Sequence, residues 1–180
     1  ASDQKRVASI SGLGRWPRTA SLEHFVKNRA DTIPQGVERV VVPAAASAWM
    51  TVLIEHGTMS FEQVVTPALG YARDGIAVGE VLAKSMASFA EQAEQWPTRT
   101  EAFSRDGRFP GLGERLQQPA LARTLERLIE VERGNASLSR ERAIEAAQDF
   151  FYRGEIAEQI VEFVQGGGGF LSMADMEEYS

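Results

Sequence analysis

The chain has 180 residues, 43% of them hydrophobic, and its 25 acidic and 19 basic side chains leave a net charge of −6. A chain of this length can bury one core, and its acidic balance lacks the basic stripe that a nucleic-acid partner requires. With no cysteine and only His24 and His56, disulfides, thiolate chemistry and multi-histidine metal sites are excluded, and no apolar run approaches the roughly 18–20 residues of a membrane span.

The first ten residues do not read as a signal peptide, because their charges are followed by alternation and not by an apolar stretch. Residues 6–10 alternate weakly, with β-branched Val7 and Ile10, and predict a short strand ended by Gly12-Leu-Gly14. A polar linker from Arg15 to Gly36 carries one short helix over 21–27, with Ser21 as its cap. Val37 to Val42 is the next β-like run, stopped by Pro43. Two strands cannot make a stable sheet alone, so this reading leaves both in need of partners.

From Pro43 onward the pattern is helical. Pro43 at a first-turn position opens a helix that stops at Gly57. Ser60 and Gln63 have capping-box spacing; Thr66-Pro67 restarts the helix and Gly75 stops it. Leu82, Met86, Phe89 and Ala93 then define one apolar face, closed by Trp96-Pro97. Residues 97–118 read as a polar loop punctuated by Gly and Pro. Pro119 opens a helix with Leu121, Leu125, Leu128 and Ile129 on one face, and residues 134–137 make a turn in which Asn135 is a possible glycosylation acceptor. Ser139 caps a helix to Phe151. The next helix spans 154–165, with Ile156, Ile160, Phe163 and Val164 inward. The run Gly166 to Gly169 allows positive φ after it, and Ser172 with Asp175 has a further capping arrangement.

Few residues invite chemistry. The chain has no Gly-x-Ser-x-Gly, His-Glu-x-x-His or phosphate-cradling glycine loop. The four-glycine run reads as a helix cap and turn, and His56 as a last-turn cation favoured by the helix dipole. His24, Glu177 and Glu178 read as solvated, Trp49 and Trp96 as packing residues. Arg15 is the exception. It follows a strand end and a Gly-Leu-Gly turn, from which a guanidinium could project into a cleft and hold a substrate carboxylate with two parallel hydrogen bonds. It is the candidate substrate-binding residue; no residue is assigned a catalytic or metal-binding role, and no cofactor is implied.

Three segments, in order, carry a resemblance. They are His56-Gly-Thr-Met-Ser-Phe-Glu-Gln-Val-Val-Thr-Pro-Ala-Leu-Gly-Tyr-Ala-Arg-Asp-Gly75, then Gln118-Pro-Ala-Leu-Ala-Arg-Thr-Leu125, then Phe151-Tyr-Arg-Gly-Glu-Ile-Ala-Glu-Gln-Ile-Val-Glu-Phe-Val-Gln165 with the glycine run and Phe170-Leu-Ser-Met-Ala-Asp-Met-Glu-Glu-Tyr179. From about Arg6 to Tyr179 the chain resembles the large subunit of the γ-glutamyltranspeptidase family. The resemblance implies an α/β (α+β) fold class: part of an αββα N-terminal-nucleophile hydrolase sandwich, here mostly helical with about two strands near the start. Residues 1–180 would form part of the large subunit of one such domain and not a complete domain. Family members free an internal threonine by autocatalytic cleavage; its hydroxyl attacks an amide, its α-amino group serves as base, and water or an amino acid takes the acyl group from the acyl-enzyme. No residue here aligns with that threonine or with the family's oxyanion glycines. The implied partners are the small, catalytic subunit of the same precursor and a small-molecule amide or γ-glutamyl substrate, with no nucleic acid and no membrane, in a bacterial cytoplasm or periplasm.

Two departures narrow the expectation. True transpeptidases carry an arginine in a Phe-Arg-Glu-type stretch that binds the γ-glutamyl α-carboxylate. Here that place reads Ser11-Gly-Leu-Gly-Arg-Trp-Pro17, with Arg15 displaced along the chain and no acidic neighbour. The family's Pro-Gly-x-Val-x-Gly appears as Pro43-Ala-Ala-Ala-Ser-Ala48. The Gly-x-Gly-Arg-x-Pro form resembles the γ-glutamyltransferase-like amidohydrolases that include oxamate amidohydrolase, which implies hydrolysis of a small carboxylate-bearing amide. The rival expectation is a free-standing helical interaction module whose apolar stripes bind a partner.

Overall fold

A computed structural model describes residues 7–91 and 97–179. In chain order the elements are α1 (Leu22–Asn28), a 3-10 turn (Val37–Arg39), α2 (Ala45–His56), α3 (Phe61–Asp74), β1 (Ile76–Ala77), α4 (Glu80–Ala90), α5 (Pro97–Phe103), β2 (Arg115–Leu116), α6 (Pro119–Gly134), α7 (Arg140–Arg153), α8 (Glu155–Gly166) and α9 (Met173–Glu177). They fall into two units, one of residues up to Phe61 together with those from Leu128 on, the other Glu62–Arg127.

In the first unit α7 packs against α2, α8 and α9, around Val42, Tyr152, Ala157, Val161, Val164, Leu171 and Met176. Three of the predicted caps are present, because they depend only on nearby residues. Ser21 accepts from the His24 N–H and Ser139 from the Arg142 N–H, while Ser172 and Asp175 form a complete capping box. Helix α2 starts differently. Pro43 lies just outside it, and its N-cap is Ala44, which has no side-chain acceptor. The hydroxyl of Tyr152, brought in by α7, accepts from the Ser47 N–H at 3.0 Å and donates to the Pro43 carbonyl at 2.6 Å. A tertiary contact thus satisfies a donor that a local cap would otherwise take. At the other end of α2, the Arg140 guanidinium donates to the carbonyls of Leu53, Ile54 and Met59.

In the second unit β1 and β2 pair antiparallel, Ile76 opposite Leu116 and Ala77 opposite Arg115. Val78, Met86 and Leu116 form its core, with Leu82, Phe89, Phe103 and Phe109 packed on it. The predicted apolar face of α4 is therefore the buried one; its fourth member, Ala93, lies outside the described residues, as does Trp96.

Among the described residues the chain is mostly helical with two strands, as expected, but those strands are not near its start. Residues 7–10 are in no strand, and Val37–Arg39 turns as a 3-10 helix before the backbone becomes extended at Val40. The two predicted strands meet no ladder partners among the described residues. One backbone bond, Val42 N–H to the Arg15 carbonyl at 3.0 Å, ties their neighbourhoods together. The paired strands are instead at 76–77 and 115–116, the second inside the segment expected to be a loop, which also holds α5.

Other local expectations yield to tertiary packing. Pro67 does not restart a helix; α3 runs through it as one element. Buried Phe61 and Ala72 anchor its two ends, and this outweighs the loss of one intrahelical bond. In α6, Leu128 and Ile129 are buried, but Leu121 is exposed and Ala122 takes the inward position. At the turn after α6 the Asn135 amide donates locally to the Val131 carbonyl at 2.8 Å. Trp49 is 74% exposed, because α2 turns Ser47 and Met50 inward instead.

In α8 the buried stripe is Ala157, Val161 and Val164, with Ile160 at its edge, while Phe163 is 56% exposed. The stripe runs through a small residue, so reading it by side-chain size rotates it off the core. Val164→Ala is expected to cost about 1.5–3 kcal/mol, the loss of two buried methyl groups and the space they leave. Phe163→Ala, although a larger truncation, should cost less than about 1 kcal/mol. Urea unfolding of the two variants checks the order; a larger loss at Phe163 would reject this packing.

Candidate functional site

The site is built where residues 11–19 lie along α2 and the segment 170–179. This stretch has no regular structure, so its position depends on what it is tied to. Gly14 passes against Val41 and Val42 so closely that a Cβ there would collide with the Val42 carbonyl and sit 2.8 Å from Val41 Cγ2. Only glycine permits that approach, and it brings the Arg15 carbonyl to the Val42 N–H. Four further ties fix the segment to 170–179. The Tyr179 hydroxyl donates to the Leu13 carbonyl at 2.9 Å, the Arg18 N–H donates to Asp175 Oδ1 at 3.0 Å, and Thr19 Oγ1 donates to the Phe170 carbonyl at 3.1 Å. The fourth is an ion pair between Arg18 and Glu178. Pro17, between them, is fully buried.

These ties hold Arg15 at an open hollow of about 490 Å³, which it lines with Ser11, Ser47, Thr51 and Tyr179. Its guanidinium carbon lies 5.5 Å from the centroid of the Tyr179 ring, a cation–π arrangement. Tyr179 in turn stacks on Tyr152, with centroids 6.0 Å apart. Among the described residues no carboxylate pairs with Arg15, whereas Arg29 is engaged by Glu38 and Arg108 by Glu114. Arg15 thus presents a planar donor fork to solvent beside two exposed or part-exposed hydroxyls, which is what recognition of a small carboxylate needs. Ser47 Oγ already accepts from the Gln148 amide at 3.0 Å.

Asp175 supports the arrangement from below. It is buried, and its Oδ2 accepts from the Ser172 N–H and hydroxyl at 3.0 and 2.6 Å. Burial works against its ionisation, but the hydrogen bonds from the Ser172 side chain and the Arg18 and Ser172 backbones, with the charge of Arg18, hold its pKa below the usual carboxylate range. Burial pushes the Tyr152 hydroxyl the other way, up to about 12, against the opposing hydrogen bond from the Ser47 backbone.

The two histidines do not line this hollow. His24 is not simply solvated: Nε2 lies 3.2 Å from Glu38 Oε2, and the ring packs edge-on against Phe25 and Phe170. Glu38 is drawn below its ordinary pKa first by its hydrogen bond to Arg29, with burial opposing and His24 assisting. The periodicity of a short polar helix could not show the acid fourteen positions away that claims the ring. His56 ends α2 as expected, half-exposed beside Glu55. Glu178, expected to be solvated, pairs with Arg18, and the Glu177 carbonyl accepts from Arg153. The four-glycine run is the end of α8 and a turn, with Gly168 at a φ of +84°. Among the described residues no group of three His, Cys, Asp or Glu could hold a metal ion, and no helix is long and apolar enough to cross a membrane. Arg15 was visible in the sequence from its turn; Asp175 was visible only as a cap, and Tyr179 only as part of a segment that carries the resemblance.

Known proteins give this geometry a context. The family model described as gamma-glutamyltranspeptidase matches residues 1–180, and the chain belongs to that family. It is 26% identical over 178 residues to the glutathione hydrolase-like YwrD proenzyme of Bacillus subtilis, covering 98% of this chain and 31% of that protein. It is 27% identical over 178 residues to the oxamate amidohydrolase proenzyme of Klebsiella pneumoniae, covering 95% of this chain and 30% of that one. The crystal structure of a cephalosporin acylase from Bacillus halodurans superposes with a TM-score of 0.77 at 28% identity, over 92% of this chain and 30% of the acylase. The mostly helical fold is that of a segment of an N-terminal-nucleophile hydrolase, and the chain spans under a third of the length of these relatives.

Proposed function

We propose that this chain supplies the carboxylate-binding part of the large subunit of an autoprocessed N-terminal-threonine amide hydrolase. The observation that carries the reading is Arg15, unpaired among the described residues and held at the rim of a hollow by a built set of backbone ties. In this reading the substrate carboxylate accepts two parallel hydrogen bonds from the Arg15 guanidinium, and that grip aims the amide at a nucleophile outside residues 1–180. The partner is the small subunit of the same precursor, which carries the freed threonine. Its hydroxyl attacks the amide carbon, its α-amino group takes the proton and returns it to the leaving amine, and water then releases the acyl group. Two relatives named as proenzymes support the processing, and one is named for oxamate, an amide bearing a carboxylate. With Arg15 displaced from the transpeptidase position and no acidic neighbour beside it, hydrolysis of a small amide is favoured over γ-glutamyl transfer from glutathione. Residues 1–180 then belong to one larger domain, and the rival reading as a free-standing interaction module gives Arg15 and its ties no role.

The test is Arg15→Ala in the full-length protein. A hydrogen bond to a charged group contributes about 1.5–3 kcal/mol, so kcat/KM for a carboxylate-bearing amide should fall about 10- to 150-fold, and Arg15→Lys should recover only part. The neutral analogue, with the carboxylate replaced by an amide, should be turned over equally by both. If wild type and Arg15→Ala discriminate identically between acid and neutral analogue, the reading is wrong.

A further inference from the structure

The guanidinium of Arg15 has two soft points, its exposure and its place on an irregular segment, and both meet the same side chain. We infer that Tyr179 is the positioning residue for Arg15, which sets how well the hollow discriminates an acid from its neutral analogue; this rests on the carboxylate-binding reading of Arg15. Tyr179 acts by two separable contacts. Its ring lies against the guanidinium, with the Arg15 carbon 5.5 Å from the centroid, so the delocalised cation has a flat surface to rest on. Its hydroxyl donates to the Leu13 carbonyl at 2.9 Å, which fixes the turn from which Arg15 projects, two residues on.

The ring is itself immobilised. It stacks on Tyr152, 6.0 Å away and inclined by 29°, and Tyr152 is fully buried and bonded at its hydroxyl to the start of α2. The backbone of Tyr179 comes just after the C-cap of α9, Glu178, and donates to the Met176 carbonyl. A continuous line of contacts therefore runs from the buried Tyr152 through Tyr179 to the solvent-facing Arg15. A flexible arginine that must adopt one rotamer to bind loses side-chain entropy, and a ring that holds that rotamer beforehand lowers this cost.

The experiment uses two variants in the full-length protein, assayed with a carboxylate-bearing amide and its neutral analogue. Tyr179→Leu removes both contacts and should raise KM for the acid about 5- to 30-fold, with kcat within about twofold. Tyr179→Phe keeps the ring and loses only the tie to Leu13, so KM should rise about 2- to 5-fold. The neutral analogue should show no change with either variant, which also controls for any general loss of folding. In an Arg15→Ala background Tyr179→Leu should add nothing, because the group it positions is gone. Equal losses on acid and neutral substrates, or additive effects in the double variant, would assign Tyr179 a merely structural part. If Arg15→Ala itself leaves acid–neutral discrimination intact, the carboxylate reading falls first; if Arg15→Ala abolishes it and Tyr179→Leu does not, only the positioning inference falls.

Discussion

Tyr152→Ala is expected to destabilise the fold by at least about 4 kcal/mol. The ring is fully buried in the centre of the core of α7, α8 and α9, and truncating a buried aromatic residue to alanine costs about 3–5 kcal/mol. The variant also strands the Ser47 N–H and the Pro43 carbonyl at the start of α2, and a buried polar group without a partner costs about 1–3 kcal/mol. Tyr152→Phe separates the two contributions, since it keeps the ring and removes the hydroxyl; about 1–3 kcal/mol should be lost. The wild type should also show a signature in alkali. Its native pKa is raised to about 12, above the ordinary tyrosine value of about 10. A raised pKa contributes stability that is present below the unfolded value and lost as pH climbs through the native one. The advantage over Tyr152→Phe should therefore shrink between roughly pH 10 and 12. A Phe variant within about 0.5 kcal/mol of wild type in urea unfolding at pH 7 would show that α2 does not need this cap.

What the sequence could show followed from range. Ser21, Ser139 and the Ser172–Asp175 box were legible because a cap is set by residues three apart and by backbone donors that are always present. The faces of α4 and much of α6 were legible for the same reason, as periodicity within one helix. The start of α2 was not, because its acceptor is a tyrosine 105 positions away. The strands were misplaced because β-branched composition marks an extended run but not its partner; Val37–Val42 is partly extended, yet the ladder forms between 76–77 and 115–116. At the site, Arg15 could be singled out from Gly12-Leu-Gly14, whereas the residue beneath it stands 164 positions on, two residues past α9, where no local pattern points to it. Trp49 shows the reverse error: a large aromatic at helical spacing was expected to pack, and α2 presents it to solvent.

Asp175 joins these two scales, and its removal is expected to have the second large effect. As the third residue of α9 it completes a local capping box, and through Oδ1 it also receives the Arg18 N–H, 157 positions away. Asp175→Ala should cost about 2–4 kcal/mol, since it removes a charged, buried acceptor from three part-buried donors. Asp175→Asn keeps the volume and should lose somewhat less. The native carboxyl is held below its ordinary range, and for a depressed pKa the sign is opposite to that of Tyr152. The contribution is present above the unfolded value of about 3.9 and is lost as pH falls through it to the lowered native value. The stability gap between wild type and Asp175→Asn should be full at pH 7 and close progressively below about pH 4. A gap that is unchanged at pH 3, or that widens there, would mean that the carboxylate is not stabilised as its contacts indicate. Because the same side chain ties 11–19 to the segment bearing Tyr179, a folded Asp175→Asn protein should also discriminate less well between an acid and its neutral analogue. A variant that is destabilised yet keeps full discrimination would show that the cap and the arginine-bearing turn are independent.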